Sequence, residues 1–218
     1  MSTTTPDVID HLAGIAPNSR LDTLRAQRPQ ARENAQKSYL ALFEPAFPGG
    51  VSVAERYAIA TFVAGLHRQP IVHDFYADGL TKLADRQLAE IVAAEILRGA
   101  ITGPYGRYPA GPLSGEDREG PEYQVFVTHA DLLGPRLATA LEHAHLLVFR
   151  PRDADEAALQ RLIDAGWSTT DIVTISQLIA FLSFQIRVVA GLRALASAAR
   201  KDGAATSIFT GALATGAI

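Results

Sequence analysis

Apolar residues recur at intervals of three or four along almost the whole chain, as they do on the buried face of an α-helix. In the predicted helix 30–44, this spacing is followed by Ala35, Tyr39, Leu42 and Phe43. No segment of useful length alternates apolar and polar residues, which is the pattern of a half-buried strand. We therefore predict an all-α fold.

Several helix starts are marked by capping residues. Ser52 and Glu55 have the spacing of a capping box, in which the serine caps a backbone amide and the glutamate reaches back to the serine amide. Ser168 and Asp171 repeat this pattern, which hints at two related helical units. Asp85 is the predicted N-cap of a helix that ends near residue 99.

Residues 101–123 interrupt the helical pattern with five glycines and four prolines. Loops of this length are uncommon in compact domains and are usually functional segments or linkers. We predict an N-terminal helical extension at 1–50, a helical domain at 51–200 that contains this loop, and a C-terminal tail at 201–218. The Gly/Ala/Thr-rich tail is expected either to dock on a neighbour or to stay mobile.

The chain contains no cysteine, which excludes disulfides, thiolate metal sites, a cysteine nucleophile and dithiol redox chemistry. Its net charge of −3 argues against nucleic acid as a partner. The longest apolar segment, 172–192, is interrupted by several polar residues and is predicted to be a buried helix rather than a membrane span. With no secretory pattern at residues 1–7, the expected location is the cytoplasm.

The histidines do not have the spacing of a metal site. His67 and His73 are six residues apart on either side of Pro70, and His143 and His145 point to opposite faces of one helix. His11 and His129 are isolated in the sequence. No glycine-rich phosphate loop is present either, so we predict neither a metal nor a cofactor.

Two charged residues fall where burial is expected. Glu95 lies on the apolar face of its helix, and its alternatives are a core ion pair or oligomer contact, or a general acid or base with a raised pKa. Arg187 is the one large polar residue in a stripe of small side chains on the last helix. Such a seam would bury it, and pairing with a carboxylate or with the carbonyls at a helix C-terminus is favoured over ligand binding.

Three segments together indicate a family. Val51-Ser-Val-Ala-Glu-Arg-Tyr-Ala-Ile-Ala60, Ala165-Gly-Trp-Ser-Thr-Thr-Asp-Ile-Val173 and Ser183-Phe-Gln-Ile-Arg-Val-Val-Ala-Gly-Leu192 are similar to motifs of the carboxymuconolactone decarboxylase and alkylhydroperoxidase D-like superfamily, in its peroxidase-related branch. The resemblance covers roughly residues 50 to 195. It implies a helical bundle with two related halves, assembled as a homotrimer or homohexamer.

The resemblance also implies where the family chemistry would lie. The relay glutamate of the family falls on Tyr57, its two cysteines on Gln69 and Val72, and its histidine on Tyr76. All four chemical groups are therefore replaced. Thiol peroxidase activity is excluded because no sulfur nucleophile is present.

Two functions remain open at this point. The first is an oligomeric accessory or non-catalytic member with a degenerate active site, which would assemble with itself or with a cysteine-bearing relative. The second is a thiol-free acid–base enzyme, decarboxylase- or isomerase-like, acting on a small organic acid. In that case the proton-transfer groups would come from Tyr57, His67, His73, Tyr76 and Glu95. The substrate would be bound by Arg187 and Gln69.

Overall fold

The computed structural model describes the backbone of residues 6–214 and the side chains of residues 6–198. Nine α-helices and no β-strand are present in these residues, so the all-α prediction is confirmed. In chain order the helices are α1 Val8–Ala13, α2 Arg20–Ala26, α3 Pro29–Phe43, α4 Val53–Leu66, α5 Pro70–Leu83, α6 Arg86–Gly99, α7 Val127–Phe149, α8 Glu156–Asp164 and α9 Thr169–Ala214. The end of the predicted tail, residues 215–218, lies outside the described residues.

The chain divides into two compact units. The terminal unit combines Met1–Gln36 with Arg187–Ile218, and the central unit is Lys37–Ile186. The predicted domain boundaries at residues 50 and 200 stay predictions.

The terminal unit contains a cluster of ion pairs around three aspartates. Asp7 caps α1 and accepts a hydrogen bond from the Arg25 guanidinium at 2.7 Å. Both Arg25 and Arg32 contact Asp10, and Arg32 also donates to Asp22 at 2.9 Å. The pKa of the half-buried Asp22 carboxyl is lowered by hydrogen bonds from the Asn18 amide and Arg32. The sequence analysis did not predict α2, in which no residue is buried.

Helix α4 is the core of the central unit and packs against α5, α6 and α7. Its residues Ala58, Ile59 and Phe62 are completely buried. The predicted capping box is present, because Ser52 Oγ accepts from the Glu55 amide at 3.2 Å and Glu55 Oε2 accepts from the Ser52 amide at 2.8 Å. The local sequence therefore fixes where this helix begins.

A glycine bends α7 where the sequence predicts a break between two helices. Gly134 has φ 76° and ψ 159°, a conformation outside the helical region, and Pro135 follows it. Backbone of this kind is essentially restricted to glycine because a Cβ would clash. The two parts of α7 correspond to the predicted helices 124–133 and 135–149.

The predicted loop 101–123 folds back on the end of α7. The Tyr105 amide donates to the Phe149 carbonyl at 2.6 Å, and the Arg107 amide donates to Asp153 at 3.0 Å. Within the loop, Gly106 and Arg118 form an antiparallel bridge, and a short 3₁₀-helix covers Ser114–Glu116. A second 3₁₀-helix, Pro151–Asp153, follows α7. These bonds hold the loop beside the α7–α8 connection.

Helix α9 carries the longest apolar segment. By length and composition, its part Thr169–Ala198 could cross a membrane, but half of the apolar window is buried within the protein. Core helices of soluble proteins pass the same test. Ile175, Leu178 and Leu182 are completely buried, as the sequence predicts for this helix. The cytoplasmic location and the absence of a membrane partner stay predictions.

Candidate functional site

The predicted relay positions contain a cluster of aromatic rings. Tyr57 of α4 and Tyr76 of α5 lie 6.1 Å apart between ring centroids, and Phe43 of α3 is 5.1 Å from the first and 4.9 Å from the second. We call Tyr39, Phe43, Tyr57, Phe75 and Tyr76 the aromatic cluster. Edge-on and tilted contacts at these distances stabilise aromatic pairs beyond the area they bury.

Tyr76 is completely buried in this cluster, and its polar atom is satisfied. Its hydroxyl donates to Gln185 Oε1 of α9 at 2.6 Å. Burial raises the pKa of Tyr76 well above the usual value, so the hydroxyl stays protonated. Tyr57 lies tightly over Gly79, where a Cβ would come within 2.1 Å of its ring. The rings thus fill the space between α3, α4 and α5.

The two predicted histidines on either side of the α4–α5 break have separate partners. His67, the C-cap of α4, places Nε2 3.4 Å from Ser183 Oγ. His73 Nδ1 lies 2.9 Å from Asp74 on the same helix. Gln69 is the half-buried residue before α5 and makes no side-chain cap bond there. Val72, the other position onto which the resemblance places a cysteine, is buried.

Glu95 is fully buried, as its place on the apolar face of α6 predicts, and it is surrounded by donors. Its carboxylate accepts from the Tyr123 hydroxyl and from His129 Nδ1, each at 2.5 Å, and from the Phe126 amide at 3.3 Å. Arg98 approaches to 3.3 Å. His129 looked isolated in the sequence because it is 34 residues away from Glu95 in the chain.

These contacts decide the pKa of Glu95. Burial alone raises it, but the hydrogen bonds from Tyr123, His129 and the Phe126 amide, together with the charge of Arg98, lower it below its usual value. The raised pKa expected for a general acid is therefore wrong. The structure favours the core ion pair, which was the other alternative.

The expected burial of Arg187 is also wrong. The large apolar stripe of α9 is buried as predicted, including Ile172, Ile179 and Ile186. The stripe of small side chains lies at the margin of that face, and Arg187 itself is solvent-exposed. A long side chain at such a margin can keep its charge in water.

The larger of the two cavities described has a volume of about 660 Å³ and lies in the central unit. We call it the α7–α8 cavity, because its walls come from these helices, the 3₁₀-helix between them and the segment 107–124. Among the described residues that line it, none of the seven site residues predicted from the sequence occurs. The smaller cavity, in the terminal unit, is lined mainly by α2.

Two buried histidines of α7 line the α7–α8 cavity. His145 Nε2 donates to the Gly99 carbonyl at 3.0 Å, and its ring stacks on Tyr123 at 4.5 Å. His143 is only 5% exposed and places Nε2 3.3 Å from Ser176 Oγ. Within the described residues its Nδ1 atom has no hydrogen-bond partner. Burial lowers the pKa of each imidazole to about 4, so both rings are neutral at physiological pH.

Charged side chains surround these histidines. The cavity is lined by five arginines, Arg107, Arg118, Arg150, Arg152 and Arg161, and by five acids, Glu119, Glu122, Glu142, Asp153 and Asp155. Sequence analysis missed this region because its members come from four separate segments. The available signal was the density of charge in the loop and in residues 150–161, beside a pair of histidines on one helix.

A metal centre is not indicated by the geometry. Within residues 6–198, no group of three or more histidines and carboxylates is arranged to hold a metal ion. Comparison with known proteins adds no further assignment, because no protein-family model matches the chain and no curated protein is significantly similar to it.

Proposed function

We propose that the protein is a non-catalytic member of the carboxymuconolactone decarboxylase and alkylhydroperoxidase D-like superfamily, and that it acts as an oligomeric accessory protein. The proposal includes the bundle of two related halves. It rests on one observation, namely that closely packed aromatic rings occupy the region in which the resemblance places the relay. A working relay needs polar groups that can exchange protons with a substrate.

The state of two candidate proton-transfer groups supports this proposal. The hydroxyl of Tyr76 is paired with Gln185, and Glu95 is held by four donors. A group that is buried, paired and fixed in one protonation state is suited to holding helices together. The same groups would have to be released before they could serve a substrate.

The proposed partner is a second copy of the chain, in a trimer or hexamer, or a cysteine-bearing relative. In the central unit, α9 presents an exposed face that carries Val173, Gln177, Ala180 and Phe184. Val173 is 55% exposed and Phe184 is 46% exposed. Their spacing of four, three and four residues is that of a helix seam, which suits association with an identical helix.

Sedimentation velocity tests this proposal. The wild type is expected to sediment as a multimer of the 23.3 kDa chain, and Phe184→Glu, which places a charge in the seam, as a smaller species. Leu97→Glu is the matched control, because Leu97 is 81% exposed on α6 outside this face. A wild type that stays monomeric at about 100 μM, a concentration at which even weak self-association is measurable, would refute the proposal.

The second candidate function is the thiol-free acid–base enzyme acting on a small organic acid. The neutral His143 in the α7–α8 cavity favours it, since a neutral imidazole can accept a proton. Turnover of a small carboxylate that is lost in His143→Gln and retained in His73→Gln would support this function. Turnover that survives in both variants would assign the activity elsewhere.

A further inference from the structure

We propose that the α7–α8 cavity binds a small organic dianion, a phosphate monoester or a dicarboxylate, through arginine side chains and His143 Nδ1. The proposal does not depend on self-association. The resemblance gives no role to the residues of this cavity. Three observations support the proposal: a buried nitrogen without a hydrogen-bond partner, the distribution of ion pairs in the wall, and the size of the cavity.

His143 supplies the first argument. A buried polar atom without a hydrogen-bond partner is rare in native proteins and calls for an explanation. A neutral imidazole has one donor nitrogen and one acceptor nitrogen, and the Ser176 hydroxyl can bond to Nε2 in either role. When Ser176 donates to Nε2, Nδ1 carries the proton and is left as a donor for an oxyanion that binds against the His143 ring.

The acids of the cavity wall already have partners. Glu119 pairs with Arg107 at 2.8 Å, and Asp153 pairs with Arg150 at 2.9 Å. Glu122 lies 3.9 Å from the same Arg150. The two remaining acids accept from backbone amides, Asp155 from Ala158 at 2.8 Å and Glu142 from Val125 at 3.0 Å. Burial also raises the pKa of the Glu142 carboxyl.

Three arginines of the described wall form no close ion pair; Arg118 and Arg161 are exposed, and the charge of Arg161 acts on the nearby Glu142 carboxylate. Among the described residues, Arg118, Arg152 and Arg161 have no salt bridge. The guanidinium of Arg152 lies 4.1 Å from the centre of the Tyr108 ring and donates to the Tyr108 hydroxyl at 3.0 Å, while its Nε is buried without a partner. Such guanidinium groups match the paired oxygens of carboxylates and phosphates.

The size and the walls of the cavity indicate an organic ligand. A volume of about 660 Å³ lies within the roughly 300–1,000 Å³ typical of small-molecule sites. A bare oxyanion would leave most of this space to water. The stacked rings of Tyr123 and His145 give the remainder of a ligand an aromatic surface. Because three arginines of the described wall lie outside close ion pairs, we expect a dianion to be preferred over a singly charged acid.

Isothermal titration calorimetry of the full chain at low ionic strength tests the proposal. The probes are glycerol 3-phosphate, malonate and uncharged glycerol, so the two dianions separate a phosphate site from a dicarboxylate site. We expect at least one dianion to bind with a Kd below about 1 mM, and glycerol not to bind. Arg161→Gln should weaken that binding at least about tenfold, because a charge-assisted contact is lost.

Two controls keep the result interpretable. Arg86→Gln removes an exposed arginine that pairs with Glu90 on α6, and it should bind as the wild type does. If Arg161→Gln does not fold, Arg118→Gln replaces it.

In ¹⁵N NMR, the Nδ1 resonance of His143 should shift on saturation with the bound dianion. Absence of binding at about 10 mM, equal binding by the arginine variant, or an unchanged Nδ1 resonance would each overturn the proposal.

Discussion

The aromatic cluster and the α7–α8 cavity belong to the same central unit but differ in whether their buried polar atoms have hydrogen-bond partners. In the cluster, rings fill the space and the Tyr76 hydroxyl is bonded to Gln185. In the cavity, His143 Nδ1 and Arg152 Nε are buried without partners in the described part of the chain. The difference directs the search for a ligand site to the cavity, where buried polar atoms remain unmatched.

The largest expected effect comes from emptying the aromatic cluster. Tyr76→Ala should lower the free energy of unfolding by about 3–5 kcal/mol, because it leaves a cavity among packed rings. Tyr76→Phe is the control, with an expected loss of about 1 kcal/mol for the hydrogen bond to Gln185. Urea unfolding followed by circular dichroism measures both. If the free energy of unfolding of Tyr76→Ala lies within about 1 kcal/mol of the wild-type value, the cluster is not a structural core.

Mild acid should destabilise the cavity side of the unit. His143 and His145 have a pKa of about 4 in the folded protein and about 6.5 when unfolded, so below pH 6.5 the unfolded chain binds protons that the folded protein does not. The stability is therefore present above the unfolded pKa and is lost as the pH falls from 6.5 towards 4. From pH 7 to 5.5 the two residues together should lower the free energy of unfolding by about 2.5 kcal/mol.

Urea titrations at pH 7 and pH 5.5 check this expectation. The double variant His143→Gln/His145→Gln should show a much smaller change over the same interval. His73→Gln, which replaces a more exposed histidine, should behave as the wild type does. An equal pH dependence in the double variant would contradict the assignment.

The smallest of the three effects is expected at Glu95. Glu95→Gln should lower the free energy of unfolding by about 2 kcal/mol at pH 7, because it replaces a buried carboxylate that accepts several hydrogen bonds. The folded pKa of Glu95 is lowered, so its stabilisation is present above the unfolded value of about 4.5 and is lost as the pH falls through the folded pKa.

The pH dependence of this variant distinguishes an ion pair from a simple packing defect. The difference in unfolding free energy between Glu95→Gln and the wild type should narrow below about pH 4.5, where the unfolded wild-type chain binds a proton that the folded protein does not. Glu90→Gln, on the exposed face of the same helix, is the matched control and should change stability by less than about 0.5 kcal/mol. If the difference in unfolding free energy between Glu95→Gln and the wild type stays constant from pH 7 to pH 3.5, the charge of Glu95 does not contribute to stability.

Sequence reasoning predicted the features of this fold that local physics decides. The helical period of the apolar residues predicts the all-α class. Ser52 and Asp85 are the N-caps of α4 and α6, and the break in α7 lies at Gly134, all as expected. The burial of Glu95 followed from its place on an apolar face. Each of these depends on residues within about one or two helical turns.

Features that depend on distant partners could not be predicted in this way. The direction of the pKa shift of Glu95 is set by Tyr123 and His129, which lie in another part of the chain. The exposure of Arg187 depends on which side of α9 faces its neighbours. The α7–α8 cavity joins four separate segments, so the spacing of His143 and His145 alone carried no signal for it.

The bend at Gly134 gives one position control over two contacts. His129 lies before the bend and donates to Glu95, while His143 and His145 lie after it and line the cavity. The backbone there has a combination of φ and ψ that is essentially restricted to glycine, so even alanine would force the chain towards another path. The angle between the two arms of α7, and with it the orientation of His129 relative to the cavity histidines, therefore depends on the absence of one side chain.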